Sequence, residues 1–220
     1  MRKNYCWMVF LLPLLLCSCA KDLWKDVPEF EVLDFNCPVP GSKFLEDDNY
    51  VNGWSVLGPL DPGKEVSIHE PLVQDEGLLN GNRRAPRGST WFRVRADRGD
   101  HAGCGQIHFG PKFEKYRNGG RQSVFYACAT LKCTCELDGL VMHLVSAGKI
   151  KVWINGKPVY ADEKGVPDMK AAPVLIRDLV LQKGCNRLVV KYMDKGKEPP
   201  YKRVFSLRFT DVSGNLSNVR

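Results

Sequence analysis

Side chains with chemistry of their own fall into three sets: nine thiols, four imidazoles and one dense run of guanidinium groups. His101, Cys104 and His108 have the donor types and close spacing of a zinc site. A structural zinc wants four ligands in closed geometry, and no second pair stands near these three. They read as loop histidines beside a disulfide cysteine, and no metal or cofactor is expected. Arg83, Arg84, Arg87, Arg93, Arg95 and Arg98 lie within sixteen residues whose only acid is Asp97. Such a run could grip phosphates or anionic glycans, because arginine presents a planar fork to them. The plainer reading is favoured, in which half of them alternate outward from a strand and pair with acids upstream. Glu46, Asp47, Asp48, Asp61, Glu65, Glu70, Asp75 and Glu76 supply those acids. Arg98-Gly99-Asp100 matches an integrin-binding tripeptide, but a match this short arises by chance in an Arg-rich stretch. The sequence holds no Gly-x-Ser-x-Gly elbow and no His-Glu-x-x-His, and no glycine-rich phosphate loop before a helix, so a non-catalytic protein is expected.

A different thiol carries the most specific signal. Arg2 and Lys3 precede an apolar run, Tyr5 to Leu16, whose twelve residues fall short of the roughly 20 that a membrane-crossing helix needs. This is the pattern of a secretory signal that is removed after export. The run ends in Leu16-Cys17-Ser18-Cys19, which resembles the lipobox of bacterial lipoproteins. The resemblance implies cleavage before Cys19 and a diacylglycerol thioether on its sulfur, with palmitate-like chains holding the protein to a bilayer. Two or more acyl chains anchor stably where one does not. Ala20, Lys21 and Asp22 follow, and without Asp at the second position the expectation is the cell envelope, with the outer membrane ahead of the inner one in a Gram-negative cell.

Loss of the signal leaves 30 basic and 25 acidic side chains, a net charge of +5. That mild excess suits an exported domain and excludes a typical nucleic-acid binder, which concentrates far more charge on one face. Six cysteines then remain besides the lipidated one: Cys37, Cys104, Cys128, Cys133, Cys135 and Cys185. An even number in an oxidising compartment predicts up to three disulfides, with about 15 pairings open. Cys133 and Cys135, two apart on one strand, are expected to take separate partners.

The elements that must position these groups are strands. Residues 1–18 read as signal, 19–50 as a lipidated tether with one strand around Phe30 to Phe35, and 51–220 as the folded domain. Short runs rich in Val, Ile, Phe, Tyr and Trp recur between Gly, Asn, Asp and Pro clusters, among them Trp54–Leu57, Thr90–Arg95, Gln106–Phe109, Ser123–Cys133, Leu140–Ser146, Ile150–Ile154, Pro158–Tyr160, Val174–Leu181, Arg187–Met193 and Val204–Thr210. Asn155-Gly156 predicts a two-residue type I′ hairpin turn. No segment carries a convincing helical period, so an all-β antiparallel sandwich is expected.

From Trp54 onward the chain resembles the galactose-binding-domain-like jelly roll of exported bacterial proteins and glycoside-hydrolase accessory modules. The stretches that carry the likeness are Trp54-Ser-Val-Leu-Gly58-Pro59, Val124-Phe-Tyr-Ala127, Lys151-Val-Trp-Ile-Asn155-Gly156, Lys183-Gly-Cys-Asn-Arg-Leu-Val-Val-Lys191 and Phe205 to Gly214. The resemblance implies a carbohydrate or cell-envelope glycan binding module, with a structural lipoprotein that docks another envelope protein as the alternative. Two departures matter. Ser146-Ala147-Gly148-Lys149 replaces an acidic pair that holds calcium in related lectins, so calcium-dependent sugar binding by that route is not expected. Cys185 stands where the family usually has Trp, and a disulfide partner is expected to replace the packing of that ring.

Strand alternation also predicts which end would bind. Each antiparallel connection reverses direction, so the long loops Ala161–Pro173 and Asp194–Arg203 share one end with Ala147-Gly148, Arg121 and Lys149. Tyr201 is the candidate sugar-stacking ring there, with Arg121, Lys149, Asp162 and Asp168 as polar partners.

Overall fold

A computed structural model of the chain describes residues 32–35, 51, 53–81, 84–86, 89–95, 105–109, 113, 122–133, 135–166, 169–194, 196 and 203–213. Eleven strands account for most of them: β1 Val32–Phe35, β2 Gly53–Leu60, β3 Thr90–Arg95, β4 Gln106–His108, β5 Val124–Cys133, β6 Leu137–Ser146, β7 Lys149–Ile154, β8 Lys157–Asp162, β9 Val174–Leu181, β10 Gly184–Met193 and β11 Val204–Thr210. They form a β-sandwich. A seven-stranded sheet runs β3-β2-β5-β10-β7-β8, with β1 as its seventh strand beside β5, and faces a four-stranded sheet, β4-β11-β6-β9. All pairings are antiparallel except that of β1 with β5. One edge of β5 is taken by β10, while β2 pairs residues 124–128 of the other edge and β1 pairs residues 130–133.

Period-two alternation divides the large sheet into two buried faces. Phe125, Ala127, Ala129 and Leu131 of β5 join Leu188, Val190 and Tyr192 of β10 in the core between the sheets. Tyr126, Cys128, Val189 and Trp153 face the other way and form a second apolar cluster with Val66, Ile68 and Leu79. Those last three lie on residues 61–81, a strap across the outer face whose one short helical turn is Glu76–Leu78. Burial on both faces explains why β5 and β10 read as near-continuous apolar runs instead of alternating with polar residues. Each fully buried Val, Leu or Ile contributes roughly 1.5–3 kcal/mol, so the strap is an integral part of the fold.

A polar cluster pins the strap down. Glu76 Oε1 accepts hydrogen bonds from the Tyr126 hydroxyl, from Lys191 Nζ at 2.8 Å and from Leu72 N at 3.1 Å. Lys191 also donates to the Glu70 carbonyl. Burial holds the Lys191 ammonium below its ordinary pKa against the opposing pull of Glu76, and burial with the Glu76 hydrogen bond pushes the Tyr126 phenol up. The hairpin between β7 and β8 has φ of 51° at Asn155 and 82° at Gly156, the paired positive values of a type I′ turn. Asn155 further locks it by donating to Asn186 Oδ1 at 2.9 Å and accepting from Arg187 N at 2.7 Å.

The cysteines follow the expectation of disulfides only in part. Cys128, Cys133 and Cys185 are free thiols. Cys128 points into the outer cluster and Cys133 into the inner core, while Cys185 is exposed opposite Lys132. Neighbouring positions on β5 and β10 thus send their sulfurs to opposite faces, where no bridge can form. An even count of residues carries no such geometry. No disulfide at Cys185 replaces an aromatic ring. Cys135 lies in the bend after β5 and not on that strand, and it is disulfide-bonded. Cys19, Cys37 and Cys104 lie outside the described residues.

Candidate functional site

The registers collect one set of strand ends. Leu60 at the end of β2 lies beside Val124 at the start of β5, Met193 at the end of β10 pairs Lys149 at the start of β7, and Asp162 at the end of β8 pairs Ile150. Beneath this end the core is aromatic. Phe109 stacks on Phe125 at 4.6 Å and on Phe205 at 5.7 Å between ring centres, a rigid floor for the loops above.

A buried ion pair fixes the loop ends to that floor. Asp194 and Arg203 are fully buried with Oδ2 and Nε 3.0 Å apart, and Asp194 Oδ1 accepts from Ser123 N at 2.9 Å and from Gly196 N at 3.0 Å. Nearby, Glu163 draws three segments together. Its Oε1 accepts from the Ser67 hydroxyl and from Ile68 N at 2.8 Å, and its Oε2 pairs with Lys149 Nζ at 3.1 Å. Burial works to raise the Glu163 carboxyl, but the hydrogen bonds from Ser67, Lys149 and Ile68 together outweigh it and hold the group below its ordinary value. Gly165 is required just beyond, with φ of 67° and room for no Cβ: one would come within 2.6 Å of the Ala147 carbonyl oxygen.

Between these anchors lies a cleft of about 410 Å³, lined by the turn Asp61-Pro62-Gly63-Lys64-Glu65 with Gln122 and Lys149. Asp61 Oδ1 accepts from Gly63 N at 2.8 Å, which shapes the turn, and Gln122 Oε1 accepts from Val66 N at 3.2 Å, which orients its amide. The cleft therefore offers the Gln122 amide and the Lys149 ammonium as donors, and the Glu65 carboxylate as an acceptor, within a volume in the range that holds small ligands. That mixture suits hydroxyl groups, which both donate and accept.

Of the residues singled out from sequence, Lys149 lines the cleft and Asp162 lies at the same end. The Asp162 carboxylate is spent on the backbone, accepting from Lys164 N at 2.9 Å and Gly165 N at 3.0 Å. Arg121, Asp168 and Tyr201 lie outside the described residues, as do His101, Arg83, Arg87 and Arg98. Glu65, Gln122 and Glu163 were not singled out as site residues. The Pro62-Gly63 turn directly after β2 was the available signal for the first of them. Arg93 and Arg95 are exposed on β3. The acids expected to meet the arginine run have other partners in two cases: Glu70 pairs with Lys64 and Glu76 with Lys191. Among the described residues no group of three His, Cys, Asp or Glu is placed to hold a metal ion.

No protein-family model matches the chain. No curated protein matches it in sequence. Among solved structures it is similar to a β-glucosidase from Kluyveromyces marxianus in complex with glucose, at 9% identity and a TM-score of 0.40 over 73% of this chain and 16% of that one. It is also similar to the β-glucuronidase of Ruminococcus gnavus, at 16% identity and a TM-score of 0.40 over 65% of this chain and 20% of that one. A third, an anti-sigma factor domain-containing protein, is 15% identical with a TM-score of 0.42, covering 79% of this chain and 47% of its own. The chain thus spans about a fifth or less of each glycosidase chain and under half of the third.

Proposed function

We propose that this protein is a non-catalytic exported lipoprotein, held to a bilayer of the cell envelope by lipid on Cys19, whose sandwich binds a glycan at the loop end. One observation carries the reading: the cleft there presents a carboxylate, an amide and an ammonium group around a volume of about 410 Å³. That mixture suits sugar hydroxyls, and fixed scaffolds commonly place binding groups on loops at the end of a sandwich.

A screen of the full chain against an array of glycans tests the reading. Strong signals that free glycan competes away support it. The lipid anchor has its own test, since only a thiol at position 19 can take the acyl chains. Cys19→Ser should give an unprocessed precursor without incorporated fatty acid, and labelling that persisted in that variant would refute the anchor.

A second reading has a specific observation behind it. β9 is an edge strand of the smaller sheet, and its Val174, Leu175 and Val180 are exposed. An exposed apolar edge can pair with a strand of another chain, as an envelope assembly protein would require. Blank arrays, together with an envelope protein that co-purifies and is lost on Leu175→Lys, would favour this reading over glycan binding.

A further inference from the structure

A second groove, of about 390 Å³, lies on the outer face of the large sheet between the strap and β7 with its Gly156 turn. Lys151 and Trp153 line it from the sheet, and His69, Pro71, Asp75 and Leu78 line it from the strap together with Glu76, which is already paired with Lys191. Two features there are unmatched. Leu78 is a large apolar side chain left 43% exposed. Lys151 Nζ sits 4.9 Å from the centre of the Trp153 ring, and among the described residues it has no carboxylate partner. Its cross-strand neighbour Lys191 is neutralised by Glu76, so the uncompensated charge on this row belongs to Lys151.

A ligand for this groove needs an anionic group for Lys151 and an apolar face for Leu78 and Pro71. It must also lie flat, because the groove is open and gives an alkyl chain no tunnel to enter. A pyranose uronate has all three properties: a carboxylate, a C–H face, and hydroxyls for a neighbouring carboxylate to accept. A neutral sugar would leave the half-buried ammonium without its anion. We infer that the groove is a binding site for an acidic sugar, with the uronate carboxylate against Lys151, the C–H face over Leu78 and a hydroxyl donating to Asp75. The site is separate from the loop-end cleft and does not rest on it.

Calorimetric titration of the full chain with trigalacturonate, beside its methyl ester, tests the inference. The acid should bind and the ester should bind at least about tenfold more weakly, a difference that reads the charge alone. Lys151→Met should weaken the acid by about tenfold or more with unchanged thermal unfolding, and Lys151→Arg should retain it. Equal binding of acid and ester, undiminished binding by Lys151→Met, or no binding of the acid would overturn the inference. If Gln122→Ala and not Lys151→Met abolished the signal, the acid would sit in the loop-end cleft, which would refute this site while supporting the other.

Discussion

A thiol reacts as its thiolate, so its surroundings decide whether it is chemically present. Burial pushes the Cys128 thiol up to about 12 and the Cys133 thiol up to about 11, whereas Cys185 is exposed. Native protein treated with a maleimide near neutral pH should therefore label Cys185 quickly, with Cys128 and Cys133 following only on unfolding. Rapid labelling of Cys128 in the folded state would contradict its place in the outer cluster. The same residues mark a limit of reading chemistry from sequence. Six cysteines suggested up to three bridges, and Cys135 is bonded, but the face each sulfur takes depends on strand phase and pairing partner. Asp162 makes the same point among the polar groups. Its type and its loop were legible, but its commitment to two backbone N–H groups was not, because that depends on the local turn.

At the scale of elements, the strap is where stability and site geometry meet. Lys191→Met would leave Glu76 buried without its cation, and breaking a buried pair on one side costs about 3–5 kcal/mol. Adding Glu76→Gln should recover a large part of the loss, since a neutral amide still accepts from Tyr126 and Leu72. Urea denaturation of the two variants measures both effects, and a cost below about 1 kcal/mol for Lys191→Met would show that the cluster does not hold the strap. The strands themselves were legible. β3, β9 and β11 have the bounds that apolar runs and turn residues suggested, because their ends are set by local chemistry. β6 starts earlier than its run, at Leu137, since pairing with Leu181 extends it, and β10 starts at Gly184 because residues 184–186 continue the ladder with β5. The strap was not legible. It has neither strand nor helix period, and its Val66, Ile68 and Leu79 acquire meaning only against the outer face of a sheet formed by distant residues.

For the whole molecule, two cores on either side of the large sheet hold one end of the sandwich rigid and gather its turns. Alternating strand direction was enough to assign Lys149 and Asp162 to that end. Which partners meet there was beyond pattern reading: Ser67 and Glu163 are 96 residues apart, and Val66 and Gln122 are 56 apart. The central claim is that this end binds glycan through Gln122, held by its long-range contact with Val66, and through the neighbouring Glu65. The most direct measurement is the affinity of the full chain for its strongest competable array glycan, compared with that of Glu65→Gln and Gln122→Ala. Glu65 is exposed and makes no hydrogen bond or ion pair with the described residues, so its change should leave thermal unfolding where it was. A loss of about tenfold in each variant, roughly one charge-assisted hydrogen bond, is the predicted result. Undiminished affinity in both variants, or an array without any competable signal, would contradict the account.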